Sequence, residues 1–327
     1  MTSSQVQPDA PVTAAAPEQR ADVPPFEQGE TVIEAADGWQ SLGLADLWRA
    51  RELLFFLTWR NIKIRYKQTV LGATWAFLQP VLMMVVFTWT IGRISGLSET
   101  SVPYPLFVFA GLLPWTFFQT AVTGAANSVV ASEGLVTKVY FPRLVIPLSA
   151  VASALVDFAV AFVVLVVLMA WYGVAPGPNL LLLPFPVVLV VIAALGFGTL
   201  IAALNVAYRD FRYVVTFLVQ VWMLATPSIY LDLNTTQPAV ADSSVPMVDS
   251  TSLNAAGANE NTSSPRWAGA LAYANPMVAV IEMFRGATIG TTIVWGRVAT
   301  SAALLTSVMI GAFYYFRRVE DSFADVI

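Results

Sequence analysis

The sequence predicts an all-α integral membrane protein: six transmembrane helices, an N-terminal amphipathic interface helix, and a re-entrant segment before the last helix. Three observations point there. Of the 327 residues, 57% are hydrophobic and only 12% are charged, about half the roughly 25% charge of a soluble domain, and the mean hydropathy is +0.68. The charges are spaced so that stretches of about 20 apolar residues, the length that crosses a bilayer, recur along the chain. The basic residues fall unevenly between alternate connecting segments. Cysteine and histidine are both absent, which excludes disulfides, thiol nucleophiles, Cys/His zinc sites and imidazole acid–base chemistry. No metal site is expected.

Residues 1–40, rich in Pro, Ala, Gln, Asp and Glu without an apolar period, read as a disordered cytoplasmic tail. Residues 41–68 read as the interface helix. Phe55, Trp59, Ile62 and Tyr66 form one stripe at helical spacing beside a basic stripe of Arg60, Lys63 and Lys67, and an apolar face bordered by cations suits the membrane surface.

Residues 69–320 form the six-helix domain. No charge lies between Lys67 and Arg93, Glu99 and Glu133, Arg212 and Asp232, or Arg297 and Arg317, which places helices 1, 2, 5 and 6. The run from Arg143 to Arg209 is broken by Asp157 and by the turn-forming Gly173–Asn179 stretch, so it holds helices 3 and 4. An extracytoplasmic polar loop follows at about 232–270. Trp267–Gly290 is apolar but interrupted by Asn275, Pro276, Glu282 and Arg285, and reads as the re-entrant element, backbone that is tolerated only where protein or water covers it. With the amino terminus inside, thirteen basic residues flank the inner ends of the spans and four (Arg93, Arg266, Arg285, Arg297) the outer ends. Both termini are then cytoplasmic, and the chain is a multi-pass protein of the membrane that bounds the cytoplasm.

The three lysines, Lys63, Lys67 and Lys138, follow Ile62, Tyr66 and Thr137, so the Gly-Lys-Ser/Thr of a phosphate-binding loop is missing. The cytoplasmic segment Ser132–Arg143 combines Glu133, Lys138, Tyr140, Phe141, Pro142 and Arg143, aromatics to fill a partner's pocket and cations to set its register. Asp157, costly at membrane depth, is expected to hydrogen-bond inside the bundle rather than to carry protons. Glu282 and Arg285, three apart, are spaced to pair locally, and Gly286–Gly290 reads as a turn rather than a helix-dimer motif.

Arg65-Tyr-Lys-Gln-Thr-Val-Leu-Gly72 with Trp75 and Gln79-Pro80, then Gly111-Leu-Leu-Pro-Trp115, Lys138-Val-Tyr-Phe-Pro-Arg143, Arg209-Asp210, Thr226-Pro227, Asn275-Pro276 and Glu282-Met-Phe-Arg285 together resemble the permease subunits of ABC-type exporters of polysaccharide, O-antigen and teichoic acid. The resemblance runs from about residue 45 to 320. It implies a type-2 exporter permease that pairs with a second copy of itself, carries two ATP-binding cassette subunits beneath it, and passes a lipid-linked glycan through a channel between the copies. The chain would catalyse no reaction and bind no cofactor, ATP being used by the partner subunit. Membrane lipids would surround it, and nucleic acid has no place in it. Glu133, Lys138, Tyr140, Phe141 and Arg143, with Arg60 and Lys63 of the interface helix, would dock the ATPase. Trp75, Phe77, Trp89, Trp115, Phe117, Phe118 and Tyr230 are candidates to line the channel, where ring faces let a sugar polymer slide. Asn275, Glu282 and Arg285 would form the re-entrant gate. A permease for drugs or small lipids is the nearest rival. A membrane-embedded transferase needs a cluster of carboxylates or histidines at one membrane face, which the sequence lacks.

The basic-residue asymmetry yields a direct test of topology. Because the chain has no cysteine, single cysteines at Ser250 and Ser322 report without background. A membrane-impermeant maleimide applied to spheroplasts should label position 250 and spare 322; the reverse pattern inverts the orientation.

Overall fold

The computed structural model describes residues 44–67, 74–94, 102–138, 141–208, 210–229, 275–320 and 323. The expected tail and the polar loop lie outside these residues, as do Tyr140, Tyr230 and the side chain of Trp75. Every regular element among the described residues is helical: α1 (Leu44–Arg49), α2 (Arg51–Lys67), α3 (Thr74–Ile94), α4 (Tyr104–Ser128), α5 (Glu133–Val136), α6 (Val145–Trp171), α7 (Pro184–Ala207), α8 (Phe211–Leu224), α9 (Pro276–Ile289) and α10 (Trp295–Val319). Short 3-10 turns lie at Val130–Ser132, Pro178–Leu182 and Pro227–Ile229.

Among the described residues, four helices are long and apolar enough to cross a membrane: Tyr104–Ser128, Val145–Trp171, Pro178–Ala207 and Trp295–Val319. At 1.5 Å per residue a helix of 25 residues spans about 38 Å, more than the hydrocarbon core. Helices 1 and 5 of the sequence reading correspond to shorter apolar stretches, Phe77–Thr90 and Phe211–Leu224. Helix 6 extends past both arginines that were to bound it. Arg297 lies in the first turn of α10 and Arg317 in the last, and each is neutralised by a carboxylate, Glu282 for the first and Asp46 and Glu320 for the second.

The break between helices 3 and 4 falls where the turn residues put it. Gly173 takes a left-handed φ of 69°. The N–H of Val174 then reaches back to the carbonyl of Met169 at 2.9 Å, closing the last turn of α6 as glycine-capped helices do.

Helix α4 is the axis of the bundle, packed by α3, α6, α7, α8 and α9. Leu106, Val108, Phe109, Ala110 and Leu112 are wholly enclosed. Small residues bring α4 and α7 together: a Cβ placed on Gly198 would lie 2.8 Å from that of Ala125. Asn205 of α7 donates to the Ala126 carbonyl at 2.9 Å, a side-chain bond across helices of the kind that holds apolar bundles together.

The ends of the bundle differ. At one end, the C-termini of α4, α7 and α10 and the N-terminus of α6 gather around Val129, Val136, Leu144, Val206, Phe313, Phe316 and Phe323. There Arg317 binds Asp46 of α1 and Glu320, each at 3.5 Å. The other end carries exposed Trp171 and Trp295, rings suited to a membrane–water boundary.

Helix α2 packs along α6 with a face that includes Tyr66 from the end of the aromatic stripe but neither Phe55 nor Trp59. Leu57 is buried, Asn61 donates to Ser149 Oγ at 3.2 Å, and Arg65 and Tyr66 both bond Asp157. Leu57, Asn61 and Arg65 recur every four residues on one helical face, whereas Phe55 and Trp59 point away from the chain and are exposed.

Candidate functional site

Two polar clusters interrupt the apolar bundle, toward opposite ends of α4. The first surrounds α9, a 14-residue helix buried along its whole length. A helix of about 21 Å that ends inside protein leaves unpaired amides and carbonyls at its termini. Asn275 resolves one end. Its Oδ1 accepts from the Met277 N–H and from Trp222 Nε1, both at 3.1 Å, and its Nδ2 donates to Thr226 Oγ1 at 2.7 Å and to the Ala225 carbonyl at 3.4 Å. One side chain thus caps α9 and ties it to the end of α8. At the other end Gly290 takes a left-handed φ of 77°, so the Gly286–Gly290 spacing marks a helix end, as the turn reading expects.

Arg285, 2% exposed, fastens three backbone segments together. Its Nε donates to the Phe107 carbonyl at 2.9 Å, Nη1 to that of Ser228, and Nη2 to that of Ile229 at 2.6 Å. The guanidinium carbon lies 3.6 Å from the centre of the Phe107 ring, within cation–π range. This approach requires Gly111, because a Cβ there would collide with the guanidinium and lie 3.0 Å from the Ile229 oxygen.

Glu282 and Arg285 do not make the local pair their spacing suggests. Arg297 Nη1 donates to both Glu282 oxygens, at 2.8 and 3.1 Å, so this buried ion pair ties α9 to α10 while Arg285 bonds backbone carbonyls. Losing one member of such a pair costs roughly 3–5 kcal/mol. The three proposed gate residues all belong to α9 or its N-cap, and each bonds a different neighbouring segment. The sequence reading missed Trp222, Ser228 and Arg297 as partners, although Thr226-Pro227 and Gly111 were already visible as motifs.

The second cluster lies where α2 meets α4 and α6. Asp157 accepts from Arg65 and Tyr66, so it is hydrogen-bonded inside the fold as expected. Burial foremost, then the bond to Asp157 and its charge, push the Tyr66 phenol well above the ordinary tyrosine value, so it remains a donor. Beside this clasp is a cavity of about 450 Å³ lined by Arg60, Asn61, Arg65, Asn127, Ser128 and Ser132, among others.

The aromatic channel candidates separate. Trp115, Phe117 and Phe118 are buried within this one chain. Trp115 and Phe118 pack edge-on against Trp222, with ring centroids 6.2 and 5.2 Å away, and Phe117 packs on Phe158 at 5.5 Å. Within a single chain these three rings pack inside the bundle. Trp89, 64% exposed, and the half-buried Phe77 lie on α3. Of the docking candidates, Glu133, Lys138, Arg60 and Lys63 are exposed. Phe141 is half-buried against the chain's own cluster around Phe316. Arg143 is half-buried as well.

Residues 52–234 match the family model described as "ABC-2 type transporter", more than half of the chain. The chain belongs to the ABC-2 type transporter family. It is 36% identical over 186 residues to the O-antigen export system permease protein RfbA of Myxococcus xanthus, covering 57% of this chain and 70% of that protein. It is 29% identical over 180 residues to the RfbA of Klebsiella pneumoniae, covering 55% of this chain and 69% of the relative. A shorter match, 27% over 115 residues, reaches the polysialic acid transport protein KpsM of Escherichia coli, covering 34% of this chain and 43% of the relative. In this ABC-2 transporter chain the matched region takes in α3 to α8, the residues that surround α4 and supply Trp222, Thr226 and Ser228 to the α9 cluster.

The close approach at Gly111 is testable by stability. Gly111→Ala should lower the thermal midpoint of the solubilised protein, since overpacking a tight contact costs roughly 1–3 kcal/mol. Gly311→Ala, where a Cβ would meet nothing within 4 Å, should leave the midpoint unchanged or raise it. Equal midpoints for both variants refute the approach.

Proposed function

We propose that the chain is the transmembrane subunit of an ATP-driven exporter that moves a lipid-linked polysaccharide across the cytoplasmic membrane. The observation that carries this reading is the match to O-antigen export permeases, which extends over about seven-tenths of the Myxococcus relative. The KpsM match adds a second polysaccharide transporter. ATP hydrolysis belongs to a separate subunit, because the sequence contains no phosphate-binding loop.

In this reading the chain crosses the membrane six times, α3 and α8 supplying the first and fifth crossings and α9 the re-entrant helix, with both termini in the cytoplasm. Full enclosure of α9 supports the last assignment, since non-helical backbone at membrane depth needs protein around it. A second copy and lipid share the exposed apolar faces of α3 and α8, which include Val85, Trp89, Phe217 and Leu218. Trp89 and Phe77 are the channel candidates that lie on such a face. Glu133 and Lys138, with Arg60 and Lys63, provide the charged surface for two ATPase subunits. Phe141 supports that surface from beneath by anchoring its loop to the cytoplasmic cluster.

Deleting the gene in its native host and measuring surface polysaccharide and intracellular lipid-linked glycan tests the reading. Surface polymer should disappear while lipid-linked glycan accumulates inside, and the wild-type chain should restore export. Normal surface polymer in the deletion strain contradicts it.

A further inference from the structure

The export reading places Arg60 on the ATPase docking surface but gives no role to the cavity behind it, between α2, α4 and α6. Its volume of about 450 Å³ falls within the roughly 300–1,000 Å³ of small-molecule sites and exceeds what a lone water or ion needs. Its polar lining is one-sided in charge: Arg60 and Arg65 border it, and no carboxylate does. Arg65 spends one nitrogen on Asp157, which balances its charge. Arg60 makes no hydrogen bond or ion pair among the described residues and is exposed, so it supplies the net positive charge.

The remaining walls are acceptors. The Ser128, Ser149 and Ser153 hydroxyls each donate to a carbonyl of their own helix, at 2.7, 2.7 and 2.8 Å, which leaves the oxygens of Ser128 and Ser153 free to accept, while Ser149 Oγ already accepts from Asn61. A ligand that fits offers anionic oxygens to the guanidinium groups and hydroxyl donors to these oxygens.

The setting narrows the ligand further. Leu57 and Ile64 also line the cavity, and Phe56 and Ile64 flank Arg60 four residues away on either side, both exposed. An apolar strip beside a cationic cavity suits an amphiphile, and basic pockets at the cytoplasmic ends of transmembrane helices hold anionic headgroups. Arginine also matches phosphate geometry bidentately.

We infer that this cavity binds the phosphorylated headgroup of a membrane lipid, with Arg60 as the principal phosphate ligand and the serine and asparagine walls taking the headgroup hydroxyls. Two lipids share that chemistry: a glycerophospholipid, and an isoprenoid diphosphate of the kind that would carry the exported glycan. The inference rests on the membrane setting of the export reading but not on the identity of the cargo.

The full-length chain in neutral detergent, titrated separately with phosphatidylglycerol and with farnesyl diphosphate and followed by native mass spectrometry, tests it. Arg60→Gln should weaken binding of at least one lipid roughly tenfold, the scale of one charge-assisted phosphate contact. Ala131→Trp, which fills the cavity from an exposed lining position without removing charge, should weaken the same lipid. Arg318→Gln, exposed and outside the cavity lining, should bind as the wild type does. Weakening confined to phosphatidylglycerol identifies a phospholipid site, and weakening confined to farnesyl diphosphate a carrier site. Binding of both lipids unchanged in Arg60→Gln and Ala131→Trp overturns the inference, as does an equal loss in Arg318→Gln. Surface polymer scored in the same strains keeps this result separate from the export reading, because binding is read without transport.

Discussion

A main chain that breaks its helix inside an apolar bundle must find partners for its amides and carbonyls, and in this protein Arg285 and Asn275 supply them. Water is not available there to do it. Arg285 takes the carbonyls of Phe107, Ser228 and Ile229, and Asn275 takes Met277 and the end of α8. Gly111 makes room for the guanidinium, Glu282 and Arg297 fix α10 to the same helix, and Trp222 closes the side. Without these contacts a buried helix as short as α9 would leave several groups unsatisfied at roughly 1–3 kcal/mol each.

The two ends of the bundle apply the same physics differently. Around α9 the side chains of Asn275, Glu282 and Arg285 are bonded within the chain, although the buried Ser228 hydroxyl has no partner among the described residues. Around α2 the matching is incomplete: Asp157 is satisfied by Arg65 and Tyr66, whereas Arg60 has no bonded partner among the described residues. An interior that closes its own polar accounts is suited to structure. One that leaves a cation beside a cavity is suited to a ligand.

Much of this was legible in the sequence, for identifiable reasons. Charge spacing located α4, α6 and α7, because an unpaired charge inside a span is expensive and sequence records where charges are. Gly173 and Gly290 announced turns because a left-handed φ favours glycine. What could not be read was pairing at a distance. Glu282 finds Arg297 fifteen residues on, across a reversal of the chain, rather than Arg285 on its own helix. Arg285 binds main-chain carbonyls, which carry no side-chain signature. Periodicity also marked the aromatic face of α2 but could not say whether that face meets protein or lipid; the packed side carries Asn61 and Arg65, joined by Tyr66, while Phe55 and Trp59 stay exposed. For Trp115, Phe117 and Phe118, aromatic character alone did not reveal that each ring packs inside the chain's own core.

The central claim is that Arg285 holds α9 to the ends of α4 and α8. Hydrogen–deuterium exchange on wild type and Arg285→Gln, read over peptides spanning residues 222–229 and 276–289, tests it most directly. The account predicts faster exchange in both segments of the variant, by about an order of magnitude or more, with residues 184–207 of α7 little changed, since local opening exposes only the elements that lose their tie. Unchanged protection in both segments would contradict it.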